Sequence, residues 1–156
     1  MSAGEEHAFV VDGKMALPYQ YFAGTVGSTF LVALRDEKKI LGIRCEKCNK
    51  VFIPPRATCE RCFSDLRDKW VELPGTGVVT GFTVVRYEEP FQPKKPPYVL
   101  ALIKLDGADT PLVHVLECGD PAELQIGLKV RAVFAENRTR SILDISHFAP
   151  VPEATQ

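Results

Sequence analysis

Four cysteines fall within "CEKCNKVFIPPRATCERC" (45–62) as two Cys-x-x-Cys pairs, Cys45/Cys48 and Cys59/Cys62, with ten residues between them. A tight turn within each pair aims both sulfurs at one point while backbone N–H groups approach them. Four thiolates complete a tetrahedral shell around Zn²⁺ at about 2.3 Å and leave no open position, so such a site is structural rather than catalytic. The same sulfurs suit iron in a rubredoxin-like centre. Zinc is the expected ion and iron the alternative. A disulfide or dithiol arrangement is the competing reading, disfavoured wherever the compartment is reducing. Zinc knuckles commonly place glycine just after the second cysteine, where the chain turns left-handed. Asn49 tolerates that conformation, whereas Phe63 after Cys62 predicts a less regular second knuckle.

Around the cysteines, residues 41–70 carry seven basic side chains against four acidic ones, a local net charge of +3. One reading is a solvated face that balances the thiolates. The other is an anion-facing patch built from Lys47, Lys50, Arg56 and Arg61, meeting a phosphate-bearing ligand or an acidic partner. A second segment invites the same question. The loop "EEPFQPKKPP" (88–97) is stiffened by four prolines and carries Phe91, Lys94 and Lys95. Loops between barrel strands are where ligand contacts concentrate, and an aromatic with two lysines suits a CoA phosphate or a partner subunit. A solvated hairpin loop is the alternative.

No catalytic constellation emerges. Cys118 ends "LVHVLEC" with no activating neighbour in sequence and reads as a packing residue. His114, between Val113 and Val115, reads as a barrel histidine sharing a face with Leu112 and Leu116. His147 reads as structural or surface, facing with Leu143 and Ile145. Asp144 has no second carboxylate paired with it by spacing. Gly75, Gly77 and Gly81 are followed by no helix, so they form no dinucleotide fingerprint. They predict relief of crowding or a bulge.

The elements that must hold these groups separate by composition. Residues 1–14 are expected to be a flexible arm and 151–156 a tail. Residues 15–40 read as helical, with Phe22, Val26, Phe30 and Leu34 recurring at i+4 on one face and Pro18 in the first turn. Gly24 and Gly27 weaken a single long helix, leaving one kinked helix or two short ones open. Residues 41–70 form the ribbon, with Val51, Phe52 and Ile53 as its apolar strand and Pro54 and Pro55 stiffening it. From 71 to 150 the pattern is mainly β. Segments 75–87, 98–105, 111–118, 128–135 and 141–148 are rich in Val, Ile, Leu and Phe between glycines, prolines and charges. Five strands at this spacing predict an OB-fold barrel. Asp120 and Pro121 would start one helical turn over 120–124, as N-cap and first residue.

The 156 residues carry a net charge of -1, with 46% hydrophobic and 25% charged side chains. That balance argues against nucleic acid, since such binders show a basic excess. The strand aromatics Phe82, Tyr87, Tyr98, Phe134 and Phe148 are not interleaved with basics, as a base-stacking groove requires. The N-terminus lacks a basic start followed by an apolar run, and no apolar stretch approaches about 18 residues. No signal peptide, no membrane span and a cytoplasmic location are therefore the expectation.

"KKILGIRCEKCNKVFIPPRATCERC", then Trp70, then "GTGVVTGFTVV", resembles the DUF35 family over roughly residues 15–150. The specific parts are the Leu41-to-Cys45 approach, the "PPR" between the knuckles, Trp70, and the Gly75-x-Gly77 opening of the first barrel strand. The resemblance implies an N-terminal helical segment, a rubredoxin-like zinc ribbon and an OB-fold. It further implies an acyl-CoA-associated accessory subunit that helps a thiolase-superfamily enzyme complete or stabilise its CoA-thioester site in a hetero-oligomer. Cys45, Cys48, Cys59 and Cys62 carry over as ligands; no catalytic residue does. Within the family, the 88–97 loop and the overall length are similar to small subunits of thiolases that act on 2-benzoylsuccinyl-CoA in anaerobic toluene breakdown. A single-stranded nucleic-acid binder and a free-standing acyl-CoA-binding protein remain the alternatives.

Overall fold

In the computed structural model, residues 11, 13, 17, 19–119 and 124–152 are described. The one α-helix among them, α1 (Gly24–Glu37), precedes eight strands: β1 (Ile40–Cys45), β2 (Lys50–Phe52), β3 (Trp70–Leu73), β4 (Thr76–Val85), β5 (Tyr98–Leu105), β6 (Leu112–Leu116), β7 (Lys129–Phe134) and β8 (Ile145–Pro150). The first three form an antiparallel sheet in the order β2-β1-β3, and the other five close into a barrel in the order β4-β5-β6-β8-β7. The mainly β expectation, with helix, ribbon and five-stranded barrel, is what the chain adopts. No helix among the described residues is long and apolar enough to cross a membrane.

The helix is shorter than the sequence pattern suggests. It is continuous through Gly27 and begins at Gly24, whose φ of 75° falls in the left-handed region where a side chain is costly. Val26, Phe30 and Leu34 are buried as their spacing requires, but Phe22 precedes the helix and is 81% exposed. Pro18, Asp120 and Pro121 lie outside the described residues, as do most of the terminal arm and most of the tail. At the other end Lys38 adopts the left-handed conformation and returns its N–H to the Ala33 carbonyl.

Barrel closure depends on the ten-residue β4, which pairs with β5 along its length and with β7 through Thr76–Val78. A register shift between Val79 and Gly81 bends it between those partners, as a bulge does. Gly77 is required by close approach: a Cβ there would lie 2.3 Å from the Lys104 carbonyl oxygen. The seam between β6 and β8 is parallel and rests on the single pair Leu116–Phe148. The last strand differs from its predicted span, because Ile142–Asp144 forms a 3-10 turn and β8 begins only at Ile145. The cause is Asp144. Its buried carboxylate accepts the Thr139 and Arg140 N–H groups at 2.7 and 2.9 Å, which pulls the backbone out of extension. A second register shift, between Val133 and Phe134, breaks alternation along β8, so Ile145 and Phe148 are both buried while His147 is half-buried.

Ribbon and barrel share one core. Phe30 and Leu34 of the helix, Ile40, Val51 and Ile53 of the ribbon, and Val79, Ile103, Leu116 and Phe148 of the barrel belong to a single buried cluster. Polar contacts reinforce this junction. Val51 exchanges backbone and side-chain hydrogen bonds with Asp109, each 2.8 Å, and the Thr110 hydroxyl both accepts the Ile53 N–H and donates to the Ile53 carbonyl, each 2.8 Å. Asp109 and Thr110, between β5 and β6, thereby satisfy the outer edge of β2, which is otherwise open to strand addition. Arg138 donates to the carbonyls of Arg35 at 2.6 Å and Ala135 at 3.0 Å. A cation is thus placed at the negative end of the helix, where carbonyls lack intrahelical partners.

Candidate metal centre

β1 delivers Cys45 at its last position, the chain turns through Cys48, and Asn49 at φ 50° reverses it into β2. The second turn repeats this path. Cys59 and Cys62 are followed by Phe63 at φ 57°; the Phe63 N–H bonds the Cys59 carbonyl at 3.0 Å, and the Cys59 N–H bonds the Ser64 carbonyl at 3.0 Å. The expected irregularity of the second knuckle is therefore absent. Phe63 takes the same left-handed turn as Asn49 despite the cost of its Cβ there, and its side chain is 80% exposed. Turn geometry overrides the residue's own preference.

The four sulfurs lie within 4.8 Å of one another. Cys45 Sγ and Cys62 Sγ are 3.4 Å apart, and Cys48 Sγ and Cys59 Sγ 3.9 Å. A tetrahedron with bonds of about 2.3 Å has edges of about 3.8 Å, so these separations fit a sulfur shell around one ion. The four cysteines are positioned to bind a metal ion. Cys45 and Cys59 are buried, Cys48 and Cys62 half-buried. Val26, Ile43, Phe52, Cys45, Cys59 and Leu66 form an apolar cluster here, with Trp70 packed against it.

The thiols are electrostatically unequal. The Ser64 hydroxyl and backbone bring Cys62 down to about 6, and backbone N–H groups, that of Cys62 foremost, lower Cys59. Burial raises Cys45, and hydrogen bonding with Cys62 pushes Cys48 up to about 12. Four thiolates cannot coexist this close unless a cation compensates them, and a bound dication does so while releasing their protons.

The flanking basic residues are partly spent on local pairs. Arg56 stacks 4.6 Å from the Phe52 ring centre and pairs with Glu60, Lys69 pairs with Glu46, and Arg67 with Asp65. Arg44, Lys47, Lys50 and Arg61 enter no ion pair among the described residues, and they carry the local positive surface. The 88–97 loop lies on the barrel. Phe91 is 81% exposed, Lys94 is anchored to Glu117 by an ion pair, and Lys95 is exposed. No hydrogen bond or ion pair among the described residues joins this loop to the ribbon. His114 is the buried barrel histidine its context predicts. Its Nδ1 accepts the Val115 N–H at 2.9 Å and its Nε2 lies 3.1 Å from the Ile142 carbonyl, which fixes the neutral Nε2–H tautomer, and burial holds its pKa below the ordinary value. Sequence reasoning missed Asp109, Thr110 and Arg138 and the role of Asp144, all of which act on chain segments that only the fold brings to them.

Comparison with known proteins agrees with this geometry. Residues 33–67 match the family described as ChsH2, rubredoxin-like zinc ribbon domain, and residues 70–135 match the ChsH2, C-terminal OB-fold domain. A DUF35 domain-containing scaffold protein of Methanocaldococcus jannaschii is 30% identical over 101 residues, covering 65% of this chain and 71% of the relative. The chain belongs to the DUF35 family. Two solved structures resemble this DUF35 chain at 26% identity. The one called "Ltp2-ChsH2(DUF35) aldolase" has a TM-score of 0.62 and matches 81% of this chain and 95% of its own. A DUF35 protein of unknown function from Sulfolobus solfataricus has a TM-score of 0.56 and matches 70% of this chain and 78% of its own.

Proposed function

We propose that this DUF35 chain is a zinc-holding, non-catalytic accessory subunit of a thiolase-superfamily acyl-CoA enzyme. The carrying observation is the match of 81% of this chain to 95% of a chain from a structure named for two components, Ltp2 and ChsH2(DUF35). The scaffold description of the archaeal relative points the same way. In this role Cys45, Cys48, Cys59 and Cys62 hold Zn²⁺ as a closed structural site, and the ion acts on architecture alone. When bound, it supplies charge compensation and cross-linking of the two knuckles. The partner supplies the reacting groups. Lys47, Lys50 and Arg61, with Arg56 stiffened against Phe52, meet an acidic partner surface or CoA phosphate. Phe91 and Lys95 extend that contact from the barrel, while Lys94 is held by Glu117. The narrower reading is a subunit serving thiolytic cleavage of 2-benzoylsuccinyl-CoA in the cytoplasm, and it rests on the 88–97 loop.

The test is co-expression with a thiolase-superfamily enzyme of the same organism. A complex that survives gel filtration, and thioester turnover by the complex but not by this chain, is the expected result. Turnover by this polypeptide alone refutes the accessory role. A stable complex that ignores 2-benzoylsuccinyl-CoA but cleaves another thioester removes only the narrower reading.

A further inference from the structure

A cleft of about 510 Å³ opens where the far end of β4, the start of β5 and the end of β6 meet the 88–97 loop. Its volume falls in the range of small-molecule sites. The floor is apolar, with Val84, Val99 and Leu116 contributing. Among the described residues, three charged side chains also line it: Arg86, Lys94 and Glu117. Lys94 and Glu117 neutralise one another through their ion pair. Arg86 is exposed and enters no hydrogen bond or ion pair of its side chain among the described residues, so the lining carries one uncompensated positive charge above a hydrocarbon surface.

That combination selects a ligand class. A neutral apolar molecule would leave the guanidinium unused, and a polyanion would bring more negative charge than the one unpaired guanidinium compensates. A carboxylate on an apolar body satisfies both the floor and Arg86, whose planar fork matches a carboxylate in bidentate geometry. We propose that this cleft binds a small amphipathic monoanion, a carboxylate with an aliphatic or aromatic body, as a site separate from the metal ribbon. The ion pair between Lys94 and Glu117 fixes the loop that walls the cleft, so the site is formed before the ligand arrives.

The experiment uses the full metal-loaded chain. Octanoate and its neutral isostere octanamide are titrated by calorimetry, and the site is located by amide chemical shifts. One equivalent of octanoate is expected to bind at least tenfold tighter than octanamide, with shifts concentrated at Val84, Val99 and Leu116. Arg86→Gln should bring octanoate to the octanamide level. Lys104→Gln, an exposed change on β5 outside the cleft, should leave it unchanged. Equal affinity for the two probes, shifts elsewhere on the protein, or wild-type affinity in Arg86→Gln overturns the assignment. Excess coenzyme A should leave octanoate in place; displacement would make the cleft part of a thioester site and overturn the proposal of a separate one. Because the isolated chain is titrated, failure here is distinct from failure to assemble with a thiolase.

Discussion

The contact between Thr110 and Ile53, the residue after β2, gives a prediction whose size follows from the structure. Thr110→Val keeps the β-branched shape but removes the hydroxyl that serves both the N–H and the carbonyl of Ile53, each at 2.8 Å. Ile53 is fully buried, so no water replaces those bonds. An orphaned buried backbone group costs roughly 1–3 kcal/mol, and two groups sharing one lost partner should cost about 2–4 kcal/mol together. For a chain of this length that lowers Tm by about 5–15 °C. The assay is thermal unfolding of the metal-loaded protein, with hydrogen exchange at the Ile53 amide as the local readout. Thr110→Ser retains the hydroxyl and should restore most of the loss. Thr80→Val removes an exposed hydroxyl bonded to the Leu102 carbonyl and should shift Tm by no more than about 2 °C. If Thr110→Val melts within about 2 °C of wild type and the Ile53 amide stays protected, the polar junction between ribbon and barrel does not hold them as argued.

Cys59→Ser should release the metal and unfold the ribbon, since structural zinc sites contribute on the order of 10 kcal/mol to folding; elemental analysis and near-ultraviolet dichroism of Trp70 report it. Phe63→Gly should raise stability by about 0.5–1 kcal/mol, because a left-handed non-glycine residue costs about 1–2 kcal/mol, glycine returns part of that in chain entropy, and the exposed ring loses no packing; chemical denaturation measures the gain. Burial holds His114 below its ordinary 6.5, so below that pH the unfolded chain takes up a proton that the folded chain refuses. Its contribution to stability is complete above the unfolded value and is lost on acidification, by up to about 1.4 kcal/mol per pH unit. Denaturation midpoints should therefore fall as the pH is lowered below about 6.5, and a His114→Leu variant, though weaker overall, should lose that slope.

The metal cluster was legible because its signal is local: two turns, each complete within a few residues, suffice to place four sulfurs. The barrel strands were legible for a similar reason, since Val, Ile and Leu runs bounded by Gly and Pro require no knowledge of partners. Failures came where distant segments decide. Phe22 fits the helical period of Val26, Phe30 and Leu34, yet the helix begins at Gly24 and leaves Phe22 in solvent. Asp144 falls in the segment 141–148 that reads as a strand and has no carboxylate paired with it by spacing, yet its role is set by amides of Thr139 and Arg140 that a period-of-two reading does not consider. Arg138 reaches a helix carbonyl 103 positions earlier. Phe63 shows the opposite limit: a residue-type preference misled where the knuckle's geometry was already fixed by its cysteines.

The ladder between β6 and β8 holds one pair, Leu116 with Phe148, beside the edge-on contact of the His114 ring with Phe148, whereas the rest of the barrel is bound by ladders several pairs long. A cylinder fastened this unevenly breathes first along its weakest line. Leu116 also floors the cleft beneath Arg86, so transient parting of these two strands would widen that cleft from below. A molecule lodged there would act as a wedge or a stitch according to its bulk, and the cylinder's own loosest join would then set how large a guest it admits.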